Sequence, residues 1–221
     1  MSLDLSRCDA AIVDLDGTLV DTLPDFVAAL NAMLAELGLG GVDEGFVVRS
    51  VGKGSEHLLR RTLAEVGASE SFYESAWAAY QRHYRAVNGR GASVYPGAAE
   101  GLQRLADAGW RLACVTNKPT AFAVELLERT ALARFFAHTF GGDAFARRKP
   151  DPLPLLEACR ALESAPARTL MIGDSSNDAA AARAAGCPVL LVTYGYNHGE
   201  PVRGVDADGF VARLDQIRLS C

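Results

Sequence analysis

Two acids directly after a buried strand constrain this chain more than any other feature. The stretch IVDLDGTLVDT (12–22) begins with the apolar pair Ile12-Val13 and then places Asp14 and Asp16 one residue apart. Residues i and i+2 of an extended chain point to the same side, so both carboxylates face the same way. Because charge is costly beside a core, the pair predicts a ligand or a reaction at this point.

Short apolar runs alternate with helical patterns along most of the sequence. The runs are AAIVDLD (10–16), RLACVTN (111–117), TLMIGDS (169–175) and PVLLVTYG (188–195), and the helical patterns cover 97–109, 121–136, 151–164 and 177–186. Continuous apolar strands are typical of a parallel sheet that is covered on both faces. The alternation predicts an α/β fold with a Rossmann-like, doubly wound parallel sheet.

Residues 24–88 interrupt this alternation. They contain helical patterns and no clear strand, so an all-helical domain is predicted at 19–91, inserted into a core formed by 1–18 and 92–221. Aromatic residues in its last helical stretch are interpreted as packing within that domain, with a dimer contact or a wall of the substrate cavity as the alternatives; they are Phe72, Trp77, Tyr80 and Tyr84.

Composition excludes several classes of partner and location. The net charge is −5 with no long run of one sign, which argues against nucleic acid or a membrane surface as the main partner. The five cysteines are scattered, without a CxxC pair, as expected for reduced thiols. No secretory segment or bilayer-length apolar run is evident, so a cytoplasmic protein is expected.

Four segments are expected to bring polar side chains to one edge of the sheet, because ligands bind at the carboxyl ends of parallel strands. The first carries Asp14 and Asp16. The others are VTNK (115–118), RRKPDP (147–152) and GDSSND (173–178), and their candidate residues are Thr116, Asn117, Lys118, Lys149, Asp174 and Asp178. Several acids together with one lysine and one hydroxyl are therefore predicted at a single site.

This mixture of residues indicates phosphoryl chemistry. Clustered carboxylates ionise together only beside a cation, and an all-oxygen set without His or Cys favours Mg²⁺. A lysine and a hydroxyl next to the metal favour an oxyanion as the remaining ligand. One carboxylate of the Asp-x-Asp pair can attack phosphorus, and the other can move protons to the leaving oxygen and from water.

The segments DLDGTLVDT, VTNK, KPDP and GDSSND resemble, in order and spacing, the four motifs of the haloacid dehalogenase superfamily. The resemblance implies a mobile cap at the helical insert and a catalytic set of Asp14, Asp16, Thr116, Asn117 and Lys149. Asp14 would be the nucleophile and Asp16 the acid/base. Mg²⁺ would lie on the Asp14 side chain, the Asp16 backbone carbonyl and Asp174, with Asp178 supporting the metal site. Predicted substrate contacts are Gly17, Thr18, Gly52, Lys53 and Gly54.

The acid at position 16 favours a phosphatase or phosphomutase, because superfamily members that cleave carbon–halogen or carbon–phosphorus bonds lack it. VTNKPT (115–120), TYGYNHGE (193–200) and the VGKG turn (51–54) most resemble bacterial phosphoglycolate phosphatases. This resemblance implies 2-phosphoglycolate as substrate, with Lys53 pairing with its carboxylate.

Several alternatives stay open at this point. One is another phosphate ester, such as N-acetylmuramic acid 6-phosphate, a hexose phosphate or pyrophosphate. Others are a β-phosphoglucomutase-like mutase and a non-catalytic protein that binds phosphorylated metabolites. A small phosphorylated metabolite is the expected partner in each case, and the chain is expected to be a monomer or homodimer. Surface positions remain alternatives for Lys118 and Lys53, and Arg147 and Arg148 are interpreted as solvated.

Overall fold

Strands within the described residues, 4–219 of this computed structural model, form one large sheet and one small ribbon. In chain order they are β1 Ala10–Val13, β2 Val20–Asp21, β3 Ser93–Val94, β4 Arg111–Val115, β5 His138–Phe140, β6 Thr169–Gly173, β7 Val189–Val192 and β8 Gly209–Val211. Six strands pair in parallel in the spatial order β5-β4-β1-β6-β7-β8. The ends of the predicted core, 1–3 and 220–221 with Cys221, lie outside the described residues.

Apart from Arg111 and Thr169 at the starts of β4 and β6, the central strands are apolar and buried, as expected where helices cover both faces of the sheet. The α-helices are α1 Leu23–Glu36, α2 Glu44–Ser50, α3 Ser55–Glu65, α4 Tyr73–Val87, α5 Ala98–Asp107, α6 Thr120–Arg129, α7 Leu153–Ala161 and α8 Ser176–Ala185. On β1, Ala11 and Val13 belong to one buried cluster, while Ala10 and Ile12 belong to the cluster on the opposite face. The predicted doubly wound α/β fold is therefore confirmed.

Four short strands, β2, β3, β5 and β8, were not predicted from the sequence. Strands β5 and β8 are three residues long, lie at the two edges of the sheet and are only partly buried. They lack the long apolar runs that identify the four central strands. The ribbon of β2 and β3 is antiparallel and two residues long on each side, too short to leave a periodic pattern.

Helices α1 to α4 form the predicted helical insert and have a hydrophobic core of their own. Helices α1 and α4 pack against each other through Leu30, Met33, Tyr80 and Tyr84, all at most 1% exposed. Helix α2, between the predicted helical stretches, was missed because it has only seven residues. The insert is consistent with a superfamily cap, and its exact limits of 19–91 stay a prediction.

Buried hydrogen bonds join the two segments that connect the cap to the core, one where the chain enters the cap and one where it leaves. The Asp25 carboxylate, 1% exposed, accepts hydrogen bonds from the backbone amides of Gly89 and Gly91, each at 2.7 Å. A side chain at Gly91 would collide with Asp25, so this close approach requires glycine. The entering and leaving chains are thereby held as one unit.

A second clamp comes from the core. The hydroxyl of Tyr196 accepts from the amides of Thr22 and Leu23 at 2.8 and 3.0 Å. The same hydroxyl donates to Asp21 at 2.8 Å. The link that enters the cap is thus fixed to the loop that follows β7.

The described part of the chain contains no helix that is both long and apolar enough to cross a membrane. Its cysteines, Cys8, Cys114, Cys159 and Cys187, form no disulfide.

We predict that Asp25→Ala destabilises the protein by about 3 kcal/mol, because it leaves two buried amides without an acceptor. Urea unfolding monitored by circular dichroism measures the change. Asp107→Ala, at the exposed end of α5, is the control and should change stability by less than about 0.5 kcal/mol. Equal effects of the two variants would contradict this role of Asp25.

Candidate active site

Lys149 lies between two carboxylates at the carboxyl end of the sheet. Its Nζ is 2.8 Å from Oδ1 of Asp14 and 2.7 Å from Oδ1 of Asp178. It also donates to the carbonyl of Val115 at the end of β4, at 2.7 Å. Burial alone would lower the pKa of Lys149, but the Asp14 and Asp178 carboxylates raise it above its usual value. The lysine is therefore held as a cation although it is 3% exposed.

Three buried acids converge on this lysine. Asp14, Asp174 and Asp178 each offer an oxygen, and these oxygens lie within 4.8 Å of one another. Burial raises the pKa of Asp14 to about 7, with repulsion from Asp178 adding to the shift and Lys149 opposing it. Burial, with repulsion from Asp178 and Asp14, raises the pKa of Asp174 well above its usual range. The set repels itself when it is ionised, which is the condition a bound cation relieves.

The donor set fits a hard divalent ion. All three side chains offer carboxylate oxygens, and no His or Cys belongs to the cluster. The side chain of Asp16 lies outside this cluster, so its predicted contribution would have to come from the backbone carbonyl. We therefore describe the cluster as a site suited to a divalent metal.

The segment after β6 carries Asp174 and Asp178, and hydrogen bonds fix both side chains. Asp178 closes a capping box at the start of α8, where its Oδ2 accepts from the Ser175 amide at 3.1 Å and hydroxyl at 2.7 Å. Oδ2 of Asp174 accepts from the Tyr196 amide at 2.7 Å. Both oxygens of Asp178 and both oxygens of Asp174 accept hydrogen bonds within the protein, and both residues line the cavity together with Asp14.

The predicted substrate contacts Gly17 and Thr18 lie against Asp174. Gly17 has a φ of 82°, and a side chain there would strike the Asp174 carboxylate and Tyr196. The Thr18 hydroxyl donates to Oδ1 of Asp174 at 3.3 Å. Neither residue is among those that line the cavity, so a direct contact with substrate stays a prediction.

Asp16 is held by two hydrogen-bond donors. The Thr22 hydroxyl donates to its Oδ1 at 2.7 Å, and Nζ of Lys118 lies 2.8 Å from the same oxygen. Lys118 is only 5% exposed, so the surface position left open for it is wrong. It follows Thr116 and Asn117 in the loop after β4, and the turn there directs it inward.

The residues after β4 also line the cavity. Thr116 is 3% exposed and its hydroxyl accepts from the Lys118 amide at 3.2 Å. The Asn117 side chain donates to the carbonyls of Lys149 and Gly52, at 2.8 and 2.9 Å. Since Gly52 belongs to the cap, Asn117 connects the core to the cap.

One cavity collects these residues between the sheet and the cap. Gly52 and Gly54 line it, as predicted for the turn between α2 and α3. Lys53 is exposed and is not among the lining residues. Arg148, interpreted as solvated, is half-buried and pairs with Glu56 of the cap at 2.9 Å, which corrects that interpretation.

Among the further lining residues are five that were not assigned to the site, although a cavity wall was the alternative for Tyr80 and Tyr84. They are Phe26, Tyr80, Tyr84, Tyr196 and His198. The helical periodicity of the first three marked them as buried, without showing that one edge of each faces a cavity. His198 was seen within TYGYNHGE, and its Nδ1 lies 2.9 Å from the Val51 carbonyl of the cap.

Comparison with known proteins agrees with this geometry. The family model described as haloacid dehalogenase-like hydrolase matches residues 8–186. The chain is 46% identical to a plasmid-encoded phosphoglycolate phosphatase of Cupriavidus necator, covering 95% of this chain and 91% of the relative. It is 42% identical to a phosphoglycolate phosphatase of Thiobacillus denitrificans, with 95% and 94% covered.

A solved structure gives the same result for the fold. The crystal structure of a predicted phosphoglycolate phosphatase from Haemophilus somnus superimposes with a TM-score of 0.92 at 30% identity, covering 96% of each chain. The family match spans most of the sequence and includes the four segments DLDGTLVDT, VTNK, KPDP and GDSSND. The chain belongs to the haloacid dehalogenase-like hydrolases, and the prediction of a phosphoric monoester hydrolase is confirmed.

Proposed function

We propose that the protein is a Mg²⁺-dependent phosphatase that hydrolyses 2-phosphoglycolate to glycolate and phosphate through an aspartyl-phosphate on Asp14. The observation that carries the proposal is the Lys149 ammonium between Asp14 and Asp178, beside an all-oxygen acidic cluster. A cytoplasmic location and a monomeric or homodimeric state stay predictions from the sequence.

In this proposal Asp14 attacks the phosphorus atom. Its carboxylate sits at the end of β1, which is buried between two neighbouring strands, so the nucleophile is held on a rigid element. Lys149 and Thr116 bind phosphoryl oxygens, the lysine with charge and the threonine with its hydroxyl. Asn117 orients this loop through its bonds to Lys149 and Gly52. Positioning and charge neutralisation are the main requirements of phosphoryl transfer.

Asp16 acts as the general acid and then as the general base. It protonates the bridging oxygen as the alcohol leaves, and it then takes a proton from the water that attacks the aspartyl-phosphate. The bonds from Thr22 and Lys118 hold its carboxylate at the mouth of the phosphate site. The cap covers this position, which would keep water away during the first step.

We assign the metal to Asp14, Asp174 and the backbone carbonyl of Asp16, with Asp178 supporting the site through Lys149 and Ser175. When bound, Mg²⁺ neutralises charge on the phosphoryl group and on the acids around it. Mg²⁺ is our choice among divalent ions because it prefers a few carboxylates together with water and substrate oxygens.

The substrate assignment rests on the relatives, which are named phosphoglycolate phosphatases and match nearly the whole chain. The cavity lining offers Lys149, Lys118, Thr116 and Asn117 to an anionic substrate. Gly52 and Gly54 let the cap backbone approach such a substrate closely, while Lys53 would have to turn inward to contribute.

Phosphate release from a panel of esters tests the activity. We expect 2-phosphoglycolate to give a kcat/KM at least about tenfold above N-acetylmuramic acid 6-phosphate, pyrophosphate and glucose phosphates, and EDTA to abolish it. Preference for another ester would contradict the substrate assignment while keeping the mechanism. No release from any ester with Mg²⁺ present would contradict the enzymatic proposal.

Asp14→Asn is expected to remove turnover below detection while the protein stays folded, because the amide cannot form the covalent intermediate. Asp16→Asn should lower kcat by about 100-fold or more through loss of the acid/base. Steady-state kinetics with circular dichroism measures both, and Asp107→Asn is the surface control.

The mutase alternative predicts a phosphoenzyme that survives in water. Quench-flow with labelled substrate would detect such a long-lived phosphoenzyme.

The raised pKa of Asp14 predicts how stability depends on pH in EDTA. The native state keeps a proton up to about pH 7 that the unfolded chain loses near 3.8, so stability falls as pH rises between these values. We expect a loss of about 2 kcal/mol between pH 5 and 8. Mg²⁺ should restore stability at pH 8 by binding the ionised native state.

Urea unfolding at several pH values, with and without Mg²⁺, measures this dependence. The matched variant is Asp14→Asn, which cannot ionise and should flatten the pH slope in EDTA. A slope that is the same in the variant as in the wild type would show that Asp14 is not the group responsible.

A further inference from the structure

Lys118 carries the second ammonium of the cavity and faces the cap. Its Nζ lies 2.5 Å from the Tyr84 hydroxyl, and it lies 4.6 Å and 4.8 Å from the ring centres of Phe26 and Tyr84. Its carboxylate partner is Asp16, at 2.8 Å. A lysine of the core thus lies against aromatic rings of the cap.

Two tyrosine hydroxyls on the cap side of the cavity lack acceptors among the described residues. The Tyr80 hydroxyl is buried and has no hydrogen-bond partner among the described residues. The Tyr84 hydroxyl accepts from Lys118, but within residues 4–219 no acceptor receives its own proton. The rings of Tyr80 and Tyr84 stack with centres 5.4 Å apart, and both residues line the cavity.

Burial raises the pKa of both phenols, so each keeps its proton and can donate it. One cation and two free donors therefore line the same cavity. Buried polar groups are normally hydrogen-bonded, so donors left over in a cavity indicate an acceptor that enters with the ligand. A carboxylate accepts through two oxygens and donates nothing, which matches this set.

We propose that Lys118, Tyr84 and Tyr80 form the subsite that binds a carboxylate on the leaving group of the substrate. This inference rests on the proposed phosphatase function. It adds the residues that make the enzyme prefer a leaving group with a carboxylate. It assigns carboxylate recognition to a buried lysine of the core, in place of the exposed Lys53 of the cap turn.

The position of the subsite fits the shape of the substrate. Asp16 must reach the bridging oxygen in order to protonate it, and Lys118 is hydrogen-bonded to Asp16. In 2-phosphoglycolate a single methylene carbon separates the bridging oxygen from the carboxylate. A group adjacent to Asp16 on the cap side is therefore at the place where that carboxylate lies.

The aromatic partners strengthen the same conclusion. Phe26 and Tyr84 belong to α1 and α4, so the cap provides part of the subsite and the core provides its charge. Their rings exclude water from Lys118, and an ion pair is stronger where water is excluded. A substrate with a carboxylate would hold core and cap together, which a neutral leaving group cannot do.

The test compares 2-phosphoglycolate with ethyl phosphate, which has the same ester oxygen and methylene carbon but no carboxylate. For Lys118→Met we expect the ratio of kcat/KM values, 2-phosphoglycolate over ethyl phosphate, to fall by about 50-fold, since a buried charge pair is lost. For Tyr80→Phe, which removes one neutral donor, we expect a fall of about fivefold.

If Lys118 served only to position Asp16, both esters would lose activity equally, because both need the same proton transfer. A ratio that falls less than tenfold in Lys118→Met would therefore overturn the proposal. Arg61→Met, which removes an exposed cation from α3, is the matched control and should leave the ratio unchanged.

Wild-type kinetics separates this inference from the proposed function. If the wild type releases no phosphate from 2-phosphoglycolate, the function fails before any variant is made. If the wild type is active and selective, only the variants decide about the subsite. Circular dichroism and a thermal melt show whether Lys118→Met folds, and Tyr80→Phe supplies an independent test if it does not; an unchanged ratio there would also overturn the proposal.

Discussion

The buried Lys149 ammonium between Asp14 and Asp178 is the interaction on which the site depends. Without a cation, three buried acids at the carboxyl end of the parallel sheet would repel one another. Lys149 comes from a loop before α7, Asp178 from the start of α8 and Asp14 from the end of β1. One charge therefore joins three separate segments, and their relative positions follow from it.

The sequence was sufficient to predict the core and the catalytic edge, because the signals there are local. Each central strand is a short apolar run that ends at a polar residue, as in Val13-Asp14 and Gly173-Asp174. A parallel sheet brings those ends together whatever the details of packing. The edge strands carry no such signal, since β5 and β8 are short and half-exposed, and their pairing depends on neighbours that are distant along the chain.

The cap side of the cavity was not predicted for a different reason. The helical spacing of Phe26, Tyr80 and Tyr84 is satisfied equally by a closed helical core and by a core with one edge open to a ligand. Lys118 is a second example. A lysine in a polar loop is expected to be solvated, and only the tertiary structure shows that this one lies against aromatic rings. The tripeptide Thr-Asn-Lys locates the loop, and only the tertiary structure determines where its last side chain points.

The clamp formed by Tyr196 has a consequence for how the cap can move. Its amide binds Asp174 and its hydroxyl binds the link at Thr22 and Leu23, so the pivot of the cap lies beside the acidic cluster. When a rigid domain rotates, atoms near the axis move little and atoms far from it move most. Rotation about this pivot would carry the outer ends of α3 and α4 through large arcs while Thr22 stays near Asp16. A rotation of this kind would widen the entrance for small molecules while Asp174 and Thr22 keep their bonds to Tyr196.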